Sequence, residues 1–208
     1  MERVIAYVDG HNVYHGLCAK KLRKLLWLDI DALMRSLLKP TQTLEAVKYF
    51  TARVSRPLDK VRRQSIYIDA IASTGVEVIE GKYQNSEIDC KRCGRTWTDY
   101  EEKQTDVNIA VAMMTDAHLN RFDMALLVSG DSDLTPPTRR IPDLHPEKRI
   151  VVASPPGRHS MELSLAAGAS FTISPNKVRK AQFPDEVATS SGFILKRPET
   201  WPRGQSSS

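Results

Sequence analysis

The sequence predicts an α/β protein in which helices cover both faces of a mostly parallel sheet. Three observations carry that expectation. Short apolar runs rich in β-branched residues alternate along the chain with longer stretches of helical period. The first and fourth of these runs are apolar almost throughout, as strands buried on both faces are. Both stop at aspartate, one at Asp9 and one just before Asp131, with turn chemistry following.

Taken in order, residues 4–8 (Val-Ile-Ala-Tyr-Val) form the first strand, and Asp9-Gly10-His11-Asn12 is the turn after it. Residues 12–27 read as a helix with Lys20, Lys21, Arg23 and Lys24 on its outer side. Asp29 or Asp31 caps a second helix bearing Leu33, Met34, Leu37 and Leu38, which stops at Pro40. Residues 44–54 are rich in β formers and read as a strand. Residues 57–73 read as a helix closed by Gly75, and residues 76–79 as a third strand. Residues 81–103 show no clean period. Residues 107–118 form a helix opened by Asp106, residues 124–129 a strand, and a helix follows Asp133. Residues 148–153, 159–167 and 170–173 complete the alternation as strand, helix and strand. The expected organisation is one domain over residues 1–175, with an insertion near 81–103, and a C-terminal tail over 176–208. Phe183, Phe193, Ile194, Leu195 and Trp201 anchor that tail in part before residues 205–208 run loose.

Of the 208 residues, 41% are hydrophobic and 26% charged, which is ample for a packed core. The net charge of +5 gives only a weak pull towards polyanions. No apolar stretch approaches the ~20 residues of a membrane span. Met1-Glu2-Arg3 runs straight into a strand with no signal-peptide pattern, so a cytoplasmic protein without a membrane partner is expected. Three cysteines make no disulfide framework.

Each acid has an ordinary structural role open to it. Asp9 or Asn12 can cap a helix, Asp106 suits a helix N-terminus, and Asp131 and Asp133 suit a turn. Gathered at one end of a sheet, however, they repel one another unless something positive lies between them. That end is where α/β sheets bind ligands. Carboxylates with no histidine among them favour Mg²⁺ or Mn²⁺ over zinc, and Mg²⁺ typically shares protein carboxylates with water and substrate phosphate. The chain has no G-x-x-x-x-G-K-[ST] loop and no G-x-G-x-x-G fingerprint. Asp9-Gly10-His11 lacks a second aspartate two positions on, which leaves water as the attacking group rather than an aspartyl nucleophile.

Three segments together resemble the NYN domain family, a branch of the PIN-like nucleases. They are residues 8–12 (Val-Asp-Gly-His-Asn), residues 102–110 (Glu-Lys-Gln-Thr-Asp-Val-Asn-Ile-Ala) and residues 122–134, which end in Val-Ser-Gly-Asp-Ser-Asp-Leu. They stand in the family's order, and the resemblance spans residues 4–173. It implies a PIN-like three-layer α/β/α sandwich and a ribonuclease dependent on Mg²⁺ or Mn²⁺. By that resemblance Asp9, Asp106 and Asp131 are metal ligands. Asn12 helps hold the metal or its water, and Asp133 is a further acidic position. Ser129 positions the acid at its strand tip, and Lys103 contacts phosphate. The chain also resembles a bacterial subset of the family that carries a Cys-x-x-Cys insertion before the Asp106 helix.

Cys90-x-x-Cys93-Gly94 looks like half of a tetrahedral zinc site. It admits three readings: a knuckle completed by a distant histidine or by the second subunit of a homodimer, a reducible dithiol, or a pair of unligated thiols. Lys91, Arg92, Arg95, Trp97 and Tyr100 make the same loop a candidate for docking RNA by charge and stacking, or simply a solvated loop. Arg158 and Ser160 open the helix over 159–167, where free N–H groups hold phosphate or are capped. The clusters at residues 20–24, 60–63, 139–140 and 177–180 form a nucleic-acid track only if they share a face with the acids. The expected function is therefore hydrolysis of RNA phosphodiester bonds, in single-stranded RNA, by a metal-activated water. The rivals are a non-catalytic RNA- or nucleotide-binding regulatory module that uses the same pocket, and a small-molecule phosphohydrolase.

Overall fold

The computed structural model describes the backbone of residues 1–89 and 93–201, and all of those side chains except 83–89 and 97–103. In chain order the elements are β1 (Glu2–Asp9), α1 (Gly10–Ala19), a 3₁₀ turn (Arg23–Leu25), α2 (Ile30–Leu37), β2 (Gln42–Thr51), α3 (Leu58–Ser73) and β3 (Glu77–Glu80). Then come β4 (Lys82–Asp89), β5 (Thr96–Lys103), α4 (Thr105–His118), β6 (Met124–Val128), a 3₁₀ turn (Ser132–Leu134), α5 (Thr135–Leu144) and β7 (Arg149–Ser154). The chain closes with α6 (Met161–Ala166), β8 (Ala169–Thr172), α7 (Pro175–Lys180), β9 (Glu186–Ala188) and β10 (Ile194–Lys196).

Six strands form the central sheet in the order β3-β2-β1-β6-β7-β8, and every pairing in it is parallel. The two faces of β1 separate the core. Val4, Ala6 and Val8 pack with residues of α1, α2 and α3, while Ile5 and Tyr7 pack with Ile109 and Met113 of α4, Ile141 of α5 and Leu163 of α6. Period-two side-chain alternation thus buries both faces of one strand under different helices, as an apolar run without polar alternation predicts. The strand order reverses between β1 and β6, so their carboxyl ends flank the switch point where such sheets bind ligands.

The expected helix over 12–27 is a correction. It starts at Gly10 and stops at Ala19, in a Schellman closure with Lys21 at φ 57°. Lys21 N–H bonds the Cys18 carbonyl at 3.0 Å and Leu22 N–H the Leu17 carbonyl at 2.8 Å. The reason lies downstream, where Leu25, Leu26, Trp27 and Leu28 are all buried. No one-faced helix buries four consecutive side chains.

Within residues 81–103, which show no period, β4 and β5 pair antiparallel from Lys82↔Lys103 to Asp89↔Thr96. They form their own two-stranded sheet, apart from the central one. The hairpin follows the end of β3 and feeds the first turn of α4, so it springs from the same end of the sheet as Asp9.

The tail also carries more structure than its composition suggests. Val178, Ala181, Phe183, Val187 and Leu195 join the core beneath α1–α3. Asp29 N–H bonds the Ala181 carbonyl at 2.9 Å, and the Trp27 indole donates to the Pro184 carbonyl at 2.6 Å. Phe193 and Ile194, expected as anchors, are instead exposed. Residues 205–208 lie outside the described residues. No described helix is long and apolar enough to cross a membrane.

Candidate active site

Asp9 is the last residue of β1 and the N-cap of α1, and it is only 2% exposed. Its Oδ1 accepts from the Asn12 backbone N–H at 2.9 Å. Its Oδ2 accepts from Asn12 Nδ2 at 2.8 Å and from the Ser129 hydroxyl at 2.9 Å. All three donors are neutral. Burial pushes the Asp9 carboxyl above its ordinary range, and the hydrogen bonds from Asn12 and Ser129 pull against that rise. Among the described residues no lysine or arginine pairs with it.

The turn that aims Asp9 depends on Gly10. A Cβ there would lie 2.5 Å from the Tyr49 ring and 2.8 Å from the Phe50 carbonyl.

The second strand tip is tied to the first through two side chains. The Ser129 hydroxyl, fully buried, donates to Asp9 and accepts from the Asp131 N–H at 3.1 Å. Asn12 Oδ1 accepts from the Gly130 N–H at 3.3 Å. Asp131 is half-buried, and its Oδ1 accepts from the Asp133 N–H at 3.1 Å, so it caps the 3₁₀ turn that follows. Asp133 is exposed.

Gly130 admits a close neighbour. A Cβ there would lie 2.8 Å from the Arg158 backbone carbon and 2.9 Å from the His159 nitrogen. The loop carrying Arg158 therefore presses directly on the β6 tip, and the Arg158 side chain is exposed beside it. Ser160 is the N-cap of α6, its hydroxyl accepting from the Leu163 N–H at 3.2 Å.

Asp106 lies half-buried in the first turn of α4, which packs against β1 and the Ser132–Leu134 turn. The far end of α4 leads into the start of β6, so Asp106 stands towards the carboxyl ends of the strands. Among the described residues no three His, Cys, Asp or Glu gather closely enough to share a metal. At the two strand tips the Ser129 hydroxyl joins the Asp9 carboxylate to the Asp131 backbone N–H, and Asp106 lies on the adjoining helix. The donors of this site fit a hydrated Mg²⁺ or Mn²⁺. They are hard oxygens, and one is a buried carboxylate with no lysine or arginine partner among the described residues; such ions keep several waters and need only one or two protein carboxylates. Cys93 is exposed at the hairpin tip with a free thiol, while Cys90 and the Lys103, Trp97 and Tyr100 side chains lie outside what the structure describes.

Sequence reasoning missed the cleft beside this site. A cavity of about 410 Å³ is lined by Gly10 and Tyr14 of α1, Tyr49 of β2, Lys60 and Tyr67 of α3, and Trp201. The only sequence signals for it were basic clusters at 20–24 and 60–63, forty residues apart in the chain, and an isolated tail tryptophan.

A parallel α/β/α layering with an acidic site at its switch point defines a PIN-like protein. The chain belongs to the NYN domain family, whose profile matches residues 3–174. It is similar to 6-hydroxy-3-succinoylpyridine 3-monooxygenase HspA of Pseudomonas putida (strain DSM 28022 / S16), at 30% identity over 240 residues covering 96% of this chain and 75% of that protein. It also matches the crystal structure of VPA0982, a protein of unknown function from Vibrio parahaemolyticus RIMD 2210633. That likeness of fold has a TM-score of 0.56 and 22% identity, and it covers 84% of this chain and 94% of that one.

Proposed function

We propose that the protein is a ribonuclease dependent on Mg²⁺ or Mn²⁺ that hydrolyses phosphodiester bonds of single-stranded RNA in the cytoplasm. The observation that carries this reading is Asp9, a carboxylate buried at the switch point and hydrogen-bonded only by neutral donors, with the Asp131 backbone N–H tied to it through the Ser129 hydroxyl. Asp9 and Asp131 are the metal ligands, with Asp106 approaching from α4. The chemistry a bound ion supplies is a water made nucleophilic at neutral pH and neutralisation of charge on the phosphate. The chain's own residues fix the geometry. Asn12 and Ser129 hold the Asp9 carboxylate in one orientation, and Ser129 sets the distance between the two strand tips. Asp133 keeps the Asp131 turn in place. Arg158 and Lys103 orient phosphate.

The hairpin belongs to the same proposal. It rises beside the site, and its Arg95 is exposed. Membership of the Cys-x-x-Cys subset, Zn²⁺ at Cys90 and Cys93, and a homodimer that completes the zinc site are parts of this reading. Native mass spectrometry reads zinc content and assembly together.

The test is incubation with mixed RNA and single-stranded DNA under Mn²⁺, Mg²⁺ and chelator, with Asp9→Asn and Asp131→Asn alongside. Cleavage of RNA that needs the metal and both aspartates is expected. Undiminished cleavage by either variant sinks the mechanism. Binding of RNA without cleavage in any metal selects the regulatory module instead.

A second reading rests on the relatedness to the P. putida monooxygenase over nearly the whole chain. It assigns the chain hydroxylation of a pyridine. Oxygen uptake on addition of 6-hydroxy-3-succinoylpyridine with a two-electron reductant, and no RNA cleavage, selects it.

A further inference from the structure

We propose that the cleft between α1, α3 and the carboxyl end of β2 binds a small planar aromatic ring bearing an anionic group. At about 410 Å³ it falls within the range of small-molecule sites. Aromatic rings form its interior. Tyr49 and Tyr67 meet edge to face with centroids 6.4 Å apart, and Trp201 meets Tyr67 edge to face at 5.6 Å. The Tyr67 hydroxyl donates to the Leu28 carbonyl at 3.0 Å, which fixes that ring. Gln64 is fixed as well, donating to the Ala52 carbonyl at 2.9 Å and accepting from the Val54 N–H at 2.8 Å. Rings held this way offer faces and edges to a flat ligand without a large ordering cost.

The charge at the entrance has one sign. Arg23, Lys60 and Arg63 line the cleft, and no aspartate or glutamate does among the described residues. Arg63 shares the exposed Asp59 at 2.7 Å. Arg23 and Lys60 are exposed and make no ion pair among the described residues. Arg23 and Lys60 come from two basic clusters that a sequence alone reads as separate solvated faces. Folding brings them to one mouth over an aromatic floor. A ring against Tyr49 and Trp201 places its anionic substituent between two unpaired cations, where hydrogen bonds to charged donors are strongest. The site does not depend on the nuclease reading, because binding is measured apart from cleavage.

Two sources share this chemistry, a nucleoside monophosphate and an aromatic carboxylate. The full chain is titrated with adenosine monophosphate against adenosine, and with benzoate against benzamide, by calorimetry and tryptophan fluorescence. At least one anion is expected to saturate the protein and to bind about tenfold or more tightly than its neutral counterpart. The double variant Arg23→Gln, Lys60→Gln changes two exposed side chains and is expected to lose about the same factor while keeping its thermal midpoint. Saturation by adenosine monophosphate alone identifies a nucleotide site, by benzoate alone a carboxylate site, and by both the shared chemistry. The proposal is overturned if neither anion saturates, if neutral and anionic partners bind equally, or if the double variant binds as the wild type does.

Discussion

Two aspartates of this protein are almost equally buried and differently surrounded. Asp116, 1% exposed near the end of α4, accepts from Lys48 Nζ at 2.7 Å, the Tyr7 hydroxyl at 2.7 Å and Arg121 Nη1 at 3.0 Å. Asp9, 2% exposed at the other end of the sheet, accepts hydrogen bonds from Asn12 and Ser129, with the weaker pull of His11 but no lysine or arginine among the described residues. The first charge is neutralised within the fold. The second is oriented but not neutralised. A carboxylate taken out of water without a hydrogen-bonded cation is costly, and the proposed metal site rests on that contrast. The neighbouring tyrosine reports the same contrast: burial, and then the Asp116 charge beside it, push the Tyr7 phenol above its ordinary range.

The largest effect expected is on the neutralised side. Asp116→Ala leaves the buried Lys48 with only the more exposed Glu77 carboxylate at 3.8 Å and should lower unfolding stability by about 3 kcal/mol in urea titration. A loss no larger than that of a surface substitution would mean that Lys48 is not paired as described.

Next is the response to metal. At an Mn²⁺ concentration about a hundredfold above its dissociation constant, the wild type should gain about 2.7 kcal/mol, read as a rise in thermal midpoint. Asp9→Asn should lose that gain while remaining folded without metal. An equal rise in wild type and variant would put the ion elsewhere.

Gly10→Ala tests the aim of Asp9 rather than its charge. The added methyl meets the Tyr49 ring and the Phe50 backbone, so about 1–3 kcal/mol of stability should be lost, with RNA cleavage falling further than stability predicts.

The smallest effect sharpens the comparison from outside. Asp123 pairs with Arg3 at 2.7 Å in partly exposed surroundings. The hydrogen bonds from Arg3 lower its carboxyl from 3.8 to about 2. A folded pKa below the unfolded one contributes stability that is present above the unfolded value and lost as pH falls through the folded one. Between about pH 4 and 2 the wild type should therefore lose stability that Asp123→Asn does not. Water screens the pair, so the loss should stay under about 1 kcal/mol.

Asp9 and Asp131 were legible in the sequence because each ends an apolar run, and burial on both faces leaves a strand no other place for a charge than its tip. The close approach of the Arg158 loop to Gly130 is a property of the fold, between residues 28 positions apart. Asp116 was not legible. It sits in an ordinary helical stretch, and its partner Lys48 lies 68 residues away on another element. The hairpin escaped because its strands stand apart from the central sheet and carry no hydrophobic period in the sequence. The end of α1 escaped because Lys21 takes a left-handed conformation more usual for glycine. Arg23 and Lys60 were visible as charges, but their convergence is a property of the fold.

The match to the family ends at residue 174, yet Phe183 and Leu195 lie inside the same interior as β1, and Trp201 roofs the cleft. A stop codon placed at that boundary would leave Trp27 without the carbonyl that receives its indole, and would strip one wall from the aromatic chamber. Trimming the gene back to its recognisable segment would thus cripple the half of the molecule that the trimming was meant to isolate.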